Sequence, residues 1–105
     1  MKNKAIINGK RYNTETATKI ASHWNRLDDR DFRHITEVLY KTPKGEYFLN
    51  GEGGPLTEYG VKEGNTTYGS SRITVITGDE ARAWLEKHQK VDQLESEFGD
   101  SIVDA

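Results

Sequence analysis

The sequence predicts an α+β fold, an antiparallel sheet packed by two amphipathic helices in the order β-β-α-β-β-β-α. Three observations carry that prediction. Residues 32–50 are rich in β-branched and aromatic types and are broken once, at Thr42-Pro43-Lys44-Gly45. Thr77-Gly78-Asp79-Glu80 forms a capping box ahead of an apolar stripe at Ala81, Trp84, Leu85, His88 and Val91. Ala17, Ile20, Ala21 and Trp24 recur at i, i+3, i+4, i+7. At 105 residues the chain has room for one core, so residues 1–98 are read as a single domain and 99–105 as an acidic, frayed tail.

Taken in order, Asn8-Gly9 tolerates the positive φ of a type I′ turn and predicts a hairpin between Ala5-Ile6-Ile7 and Arg11-Tyr12. Asn13 and Glu15 suit the start of a helix, placed at about 14–25, and the charged stretch 25–31 leads from it through solvent. If Thr42 and Gly45 close the next turn, Lys41 pairs with Glu46, Tyr40 with Tyr47, Leu39 with Phe48 and Val38 with Leu49. One face then carries Ile35, Leu39 and Phe48, and the other Val38, Tyr40, Tyr47 and Leu49. Residues 51–71, with their many glycines, read as a long loop, 72–76 as a third main strand, and the second helix as running to about 96 with Leu94 and Phe98 on its stripe. The expected core is Ile20, Trp24, Ile35, Leu39, Phe48, Trp84 and Leu85.

Composition narrows the chemistry. There is no cysteine, which removes disulfides, thiolate metal sites and thiol nucleophiles and fits a reducing, cytoplasmic setting. No apolar run approaches the roughly 20 residues of a membrane span. Net charge is −2, but Asp92, Glu95, Glu97, Asp100 and Asp104 occupy a C-terminal stretch without Lys or Arg, leaving residues 1–91 at +3. That is too weak an asymmetry for a duplex-binding stripe.

Each motif with a chemical reading has a plainer one. Gly51-Glu52-Gly53-Gly54-Pro55 lacks the Gly-Lys-Ser/Thr of a phosphate loop and reads as a structural bend. His23, His34 and His88 have no metal-ligand spacing, so neither metal nor cofactor is expected, and His88 reads as a partly buried histidine on its stripe. Asp28, Asp29 and Asp31 sit among Arg26 and Arg30, as in a solvated, internally paired loop. Nothing here makes a nucleophile and base pair, and the chain is expected not to be an enzyme. Tyr40, Tyr47, Tyr59 and Tyr68 are too many phenols for so small a core, so some are expected to face solvent as interface anchors beside Arg33.

Several segments resemble those of a family of small proteins carried by phages, plasmids and conjugative elements of Gram-positive and gut bacteria. They are Lys10-Arg11-Tyr12-Asn13-Thr14-Glu15-Thr16-Ala17, Asp31-Phe32-Arg33, Glu37-Val38-Leu39-Tyr40-Lys41-Thr42-Pro43-Lys44-Gly45, Phe48-Leu49-Asn50-Gly51-Glu52-Gly53-Gly54 and Glu80-Ala81-Arg82-Ala83-Trp84-Leu85. The resemblance spans roughly residues 10–88 and brings no catalytic residue. It implies an accessory protein of a mobile element, of which inhibitors of defence nucleases, anti-CRISPR proteins that bind a CRISPR-associated nuclease, are the best-studied kind. The expected function is therefore protein binding through Tyr40, Tyr47, Tyr59, Arg33, Glu52, Asp28, Asp29 and Asp31, the acids standing in for phosphates. The alternative is a nucleic-acid-binding factor using Lys2, Lys4, Lys10, Arg11, Arg26, Arg30, Arg33, Lys41 and Lys44. A symmetric dimer through Val91, Leu94 and Phe98 is a further expectation.

Overall fold

Asn8 and Gly9 hold φ of 53° and 77°, the left-handed pair a type I′ turn requires, and the N-terminal hairpin forms as predicted. In the computed structural model, which describes residues 3–105, it consists of β1 (Lys4–Ile7) and β2 (Lys10–Asn13), with Ala5 opposite Tyr12.

The helix expected at 14–25 is absent. The cap signal at Asn13 is spent on one turn, in which Ala17 N donates to Asn13 O at 3.1 Å and Glu15 N to Asn13 Oδ1 at 2.9 Å. The chain then enters strand β3 (Thr18–Trp24). The apolar spacing fits a helix, but Thr18, Ile20 and the alternating Ala21 and His23 also fit a strand, and pairing with β4 (Ile35–Lys41) decides between them. A bulge at Ile20 interrupts this pairing.

The central hairpin, β4 with β5 (Tyr47–Gly53), forms one residue out of the expected register. Thr42 N donates to Glu46 O at 2.8 Å, so Gly45, at φ 89°, lies inside a three-residue turn rather than closing a two-residue one. Leu39 therefore faces Leu49, and Tyr40 faces Phe48. A slip of one residue exchanges the faces, so Leu39 and Phe48 serve two different layers.

The segment read as a long loop is mostly paired. β5 continues through Gly53, and β6 (Val61–Glu63) and β7 (Thr66–Tyr68) make a small hairpin about Gly64-Asn65. The expected third strand is β8 (Ser70–Ile76), and the main sheet has the order β3-β4-β5-β8, antiparallel throughout.

Thr77 caps helix α1 (Gly78–Lys87) through the expected box, Glu80 N to Thr77 Oγ1 at 3.1 Å and Thr77 N to Glu80 Oε1 at 2.9 Å. The helix does not run on to 96. Gln89 takes φ 56° while Gln89 N and Lys90 N donate back to Glu86 O and Leu85 O, a Schellman-type ending with Gln where Gly is usual. A separate helix α2 (Val91–Phe98) follows, and the tail opens with a 3-10 turn at Gly99–Ser101.

Two thin layers flank the sheet. On one face Ala21, Leu39 and Tyr47 pack with Ala81, Trp84 and Leu85, and Leu49, Ile76, Leu94 and Phe98 border them. On the other, the N-terminal hairpin covers Phe48 and Asn50, with the Tyr12 ring edge-on to Phe48 at 5.6 Å and Asn3 Nδ2 donating to Asn50 Oδ1 at 3.1 Å. Of the expected core, Leu39, Phe48, Trp84 and Leu85 are buried, Ile20 and Ile35 are half-buried, and Trp24 is exposed.

Glu37 is the one charged side chain buried among the described residues. Its Oε2 accepts from the Tyr59 hydroxyl at 2.5 Å and its Oε1 from Trp84 Nε1 at 3.0 Å, so a carboxylate joins the sheet, the 54–60 loop and α1. Burial and the adjacent carboxylate push the Tyr59 phenol well above its ordinary value, which keeps it a donor. Beside this knot the His23 and His88 rings stack at 3.8 Å.

Candidate protein-binding surface

The β4–β5 ladder does not stop at its strand ends. Gly54 N donates to His34 O at 3.0 Å and Leu56 N to Phe32 O at 2.9 Å, which carries Phe32 and Leu56 opposite each other beyond the sheet. Phe32 is 62% and Leu56 59% exposed, fractions that place both rims in contact with solvent. At the same end, Trp24 terminates β3 in a row with Thr36, Glu52 and Ser71, and it is 53% exposed. Its indole N–H donates to Leu27 O at 2.9 Å, so the ring is fixed by its polar end and bare along its apolar body.

The loop between Trp24 and Ile35 is held by short-range bonds. Asn25 clamps its two ends, Nδ2 donating to Arg33 O at 2.8 Å and Oδ1 accepting from Ile35 N at 3.1 Å. Asp28 Oδ1 accepts from Arg30 N at 2.9 Å and Asp31 Oδ1 from Arg33 N at 2.8 Å, both local side-chain-to-backbone turns. The bond from the Arg30 backbone, then that from its side chain, lower the Asp28 carboxyl below its ordinary value. The His34 ring closes the loop through Nδ1 on Asp31 O at 2.7 Å.

The residues expected to form one site fall into two groups. Asp28, Asp29, Asp31, Arg33 and Glu52 are brought together at the Trp24 end. Arg26, Arg30 and Arg33 are interspersed with the three aspartates there, giving a charge-balanced loop in place of a row of phosphate-like charge. The tyrosines are elsewhere. Tyr59 is buried against Gly51, where an added Cβ would lie 1.9 Å from its hydroxyl, with the Arg72 guanidinium 4.6 Å from its ring centre. Tyr47 is buried at the opposite end, its hydroxyl donating to Glu97 Oε1 at 2.7 Å, and burial with that contact pushes its phenol up to about 12. Tyr40 is half-buried and stacks on Phe48 at 5.2 Å. Tyr47 and Tyr59 are thus not exposed anchors, because each has the carboxylate partner that a buried phenol needs. Trp24 and Phe32 are the exposed aromatic side chains at the loop end instead, and the helix expected at 14–25 hid the first by placing it in the core.

The other expected surfaces are also partly consumed. Lys10, Arg30 and Lys41 are ion-paired with Glu46, Asp28 and Glu97, and Lys2 lies outside the described residues. Leu94 and Phe98 pack against the core, which leaves Val91 as the exposed member of the stripe proposed for a dimer. Among the described residues no helix is long and apolar enough to cross a membrane, and no group of three or more His, Asp or Glu is placed to hold a metal ion.

The burial of His88 beside His23 should make stability depend on pH. Burial, then His23, then Lys87 hold His88 below its ordinary pKa of 6.5, with Lys90 acting the same way and Glu37 opposing them. The unfolded chain therefore binds a proton that the folded chain resists. Stability should be full above about 6.5 and fall as pH drops through the folded value. Urea midpoints measured from pH 7.5 to 5.5 should decline, and the decline should flatten in His88→Gln; parallel profiles would remove His88 as the cause.

No protein-family model matches the chain, and no curated protein and no solved structure matches it.

Proposed function

We propose that this chain is a non-enzymatic protein-binding module that docks through Trp24, Phe32 and Leu56, with Arg33, Asp29 and Glu52 at their rim. The observation that supports it is the exposure of three large apolar side chains at one end of the sheet, one ending β3 and one inside the loop that Asn25 clamps at both ends. Aromatic groups fixed before binding cost little ordering on association, which is the character of interface hot spots. The partner class comes from the resemblance of the chain's segments to small proteins of mobile elements. It is a bacterial defence protein, and a CRISPR-associated nuclease is the specific proposal.

Tagged protein incubated with lysate of a CRISPR-bearing Gram-positive host should retain such a nuclease in stoichiometric amount after the nucleic acid is digested. Trp24→Ala and Phe32→Ala should each weaken the purified pair tenfold or more, above about 1.4 kcal/mol. Wild-type affinity in both variants would exclude this surface. Capture that vanishes on digestion would favour the nucleic-acid-binding factor instead.

A further inference from the structure

The two edges of the main sheet are unlike. β3 carries a bulge at Ile20 and Lys19 beside it, features that discourage pairing with another strand. β8, Ser70-Ser71-Arg72-Ile73-Thr74-Val75-Ile76, is seven residues long with no bulge, no proline and no lysine. The hydrogen bonds at the ends of the β4–β5 ladder fix which way its groups point. Thr42 with Glu46 and His34 with Gly54 are bonded pairs, so the even-numbered residues of β5 bond β4 and its odd-numbered residues bond β8. In β8 the partners of those odd-numbered residues are Ser70, Arg72, Thr74 and Ile76. Ser71, Ile73 and Val75 therefore turn their N–H and C=O groups outward, and none of these has a backbone partner outside the strands among the described residues.

We propose that β8 pairs with the β8 of a second copy of this chain, antiparallel about Ile73, to give one eight-stranded sheet. The strand is complementary to itself in that register. Ile73 faces its counterpart, Ser71 faces Val75 and Val75 faces Ser71, so all six outward backbone groups on each strand find partners. Side chains agree with the backbone. The single charge, Arg72, meets Thr74 rather than another cation, and it is drawn back over its own sheet by Glu58 O at 3.1 Å and the Tyr59 ring. Ser71 and Val75 are exposed and Ile73 is half-buried, so the pairing buries β-branched side chains that the monomer leaves wet. Trp24 lies on the opposite edge strand, three strands away, and stays free.

Sedimentation equilibrium of the full chain tests this. The average mass should rise with concentration from one 11.9 kDa chain toward two. Ser71→Lys with Val75→Lys in one chain sets lysine opposite lysine twice and should raise the dissociation constant at least tenfold. Ser71→Glu with Val75→Lys sets opposite charges face to face and should restore the dimer. Both positions are exposed and their amides are outside the β5 ladder, so circular dichroism should show all three proteins folded. A wild-type chain that stays monomeric at every concentration, or a dimer indifferent to the lysine pair, would overturn the proposal; failure of the charge-paired variant to re-form the dimer would overturn the Ile73 register.

Discussion

Glu37→Gln should destabilise the protein by about 2–4 kcal/mol, although it changes one atom and no volume. The carboxylate accepts from two donors, Tyr59 Oη and Trp84 Nε1, which approach its two oxygens separately. An amide offers one acceptor and one donor. With its oxygen on Trp84 Nε1 its NH2 faces the Tyr59 hydroxyl, which can accept only by turning its own hydrogen away from its one acceptor, and with the amide reversed the NH2 faces the Trp84 N–H, so either way one buried donor loses its partner. Tyr59 does not escape by ionising, since burial, the larger cause of its raised pKa, remains when the carboxylate is gone. Urea unfolding should show a lower midpoint at an unchanged slope. In a Tyr59→Phe background the same substitution should cost clearly less, because no phenol hydrogen is then left without an acceptor; strictly additive losses would mean that the carboxylate acts through something other than these two bonds.

Glu37 also shows what the sequence made legible. Alternation from Ile35 through Leu39 puts residue 37 on the face of those two apolar residues, but the acid there was not singled out as a buried charge. Its partners were not visible, because Tyr59 and Trp84 arrive from elements 22 and 47 residues away. Features written in neighbouring residues were read correctly: the Asn8-Gly9 turn, the Thr77 capping box, and strands around residues 38, 48 and 74. Features decided by a distant partner were not. Ala17, Ile20, Ala21 and Trp24 fit a helix until β4 is present to pair with them, and the hairpin register hinges on whether Gly45 lies inside its turn or closes it. The end of α1 at Gln89 carries no glycine to announce it. The surface proposed for binding was half legible: Asp28, Asp29, Asp31, Arg33 and Glu52 were named from the sequence and stand at one end of the sheet, while the exposure of Trp24 there depended on its ending an edge strand.

Leu85→Ala should cost about 2–5 kcal/mol, a large part of the roughly 5–15 kcal/mol available to a domain of this size. Leu85 has no exposure, and it lies in the layer where Ala81 and Trp84 meet Leu39, Ala21 and Tyr47. That layer is thin. Among the described residues α1 and α2 cover the face beside Leu85, with Tyr59 of the 54–60 loop beyond them, and several residues beside Leu85 are already small or aromatic, so collapse into the vacated space would have to break either the Trp84–Glu37 bond or the docking of α2. The second is the weaker attachment. Leu94 and Phe98 border the cluster, and Glu97 reaches the sheet through Tyr47 and Lys41 at 2.7 and 3.1 Å. Hydrogen exchange in Leu85→Ala should therefore rise in α2 before it rises in β4 and β5. Val91→Ala, at a side chain 54% exposed on the same helix, should stay within about 0.5 kcal/mol of wild type. Equal losses at the two positions would mean that α2 is held by its outer surface, and that the layer built on Leu85 is not what secures it.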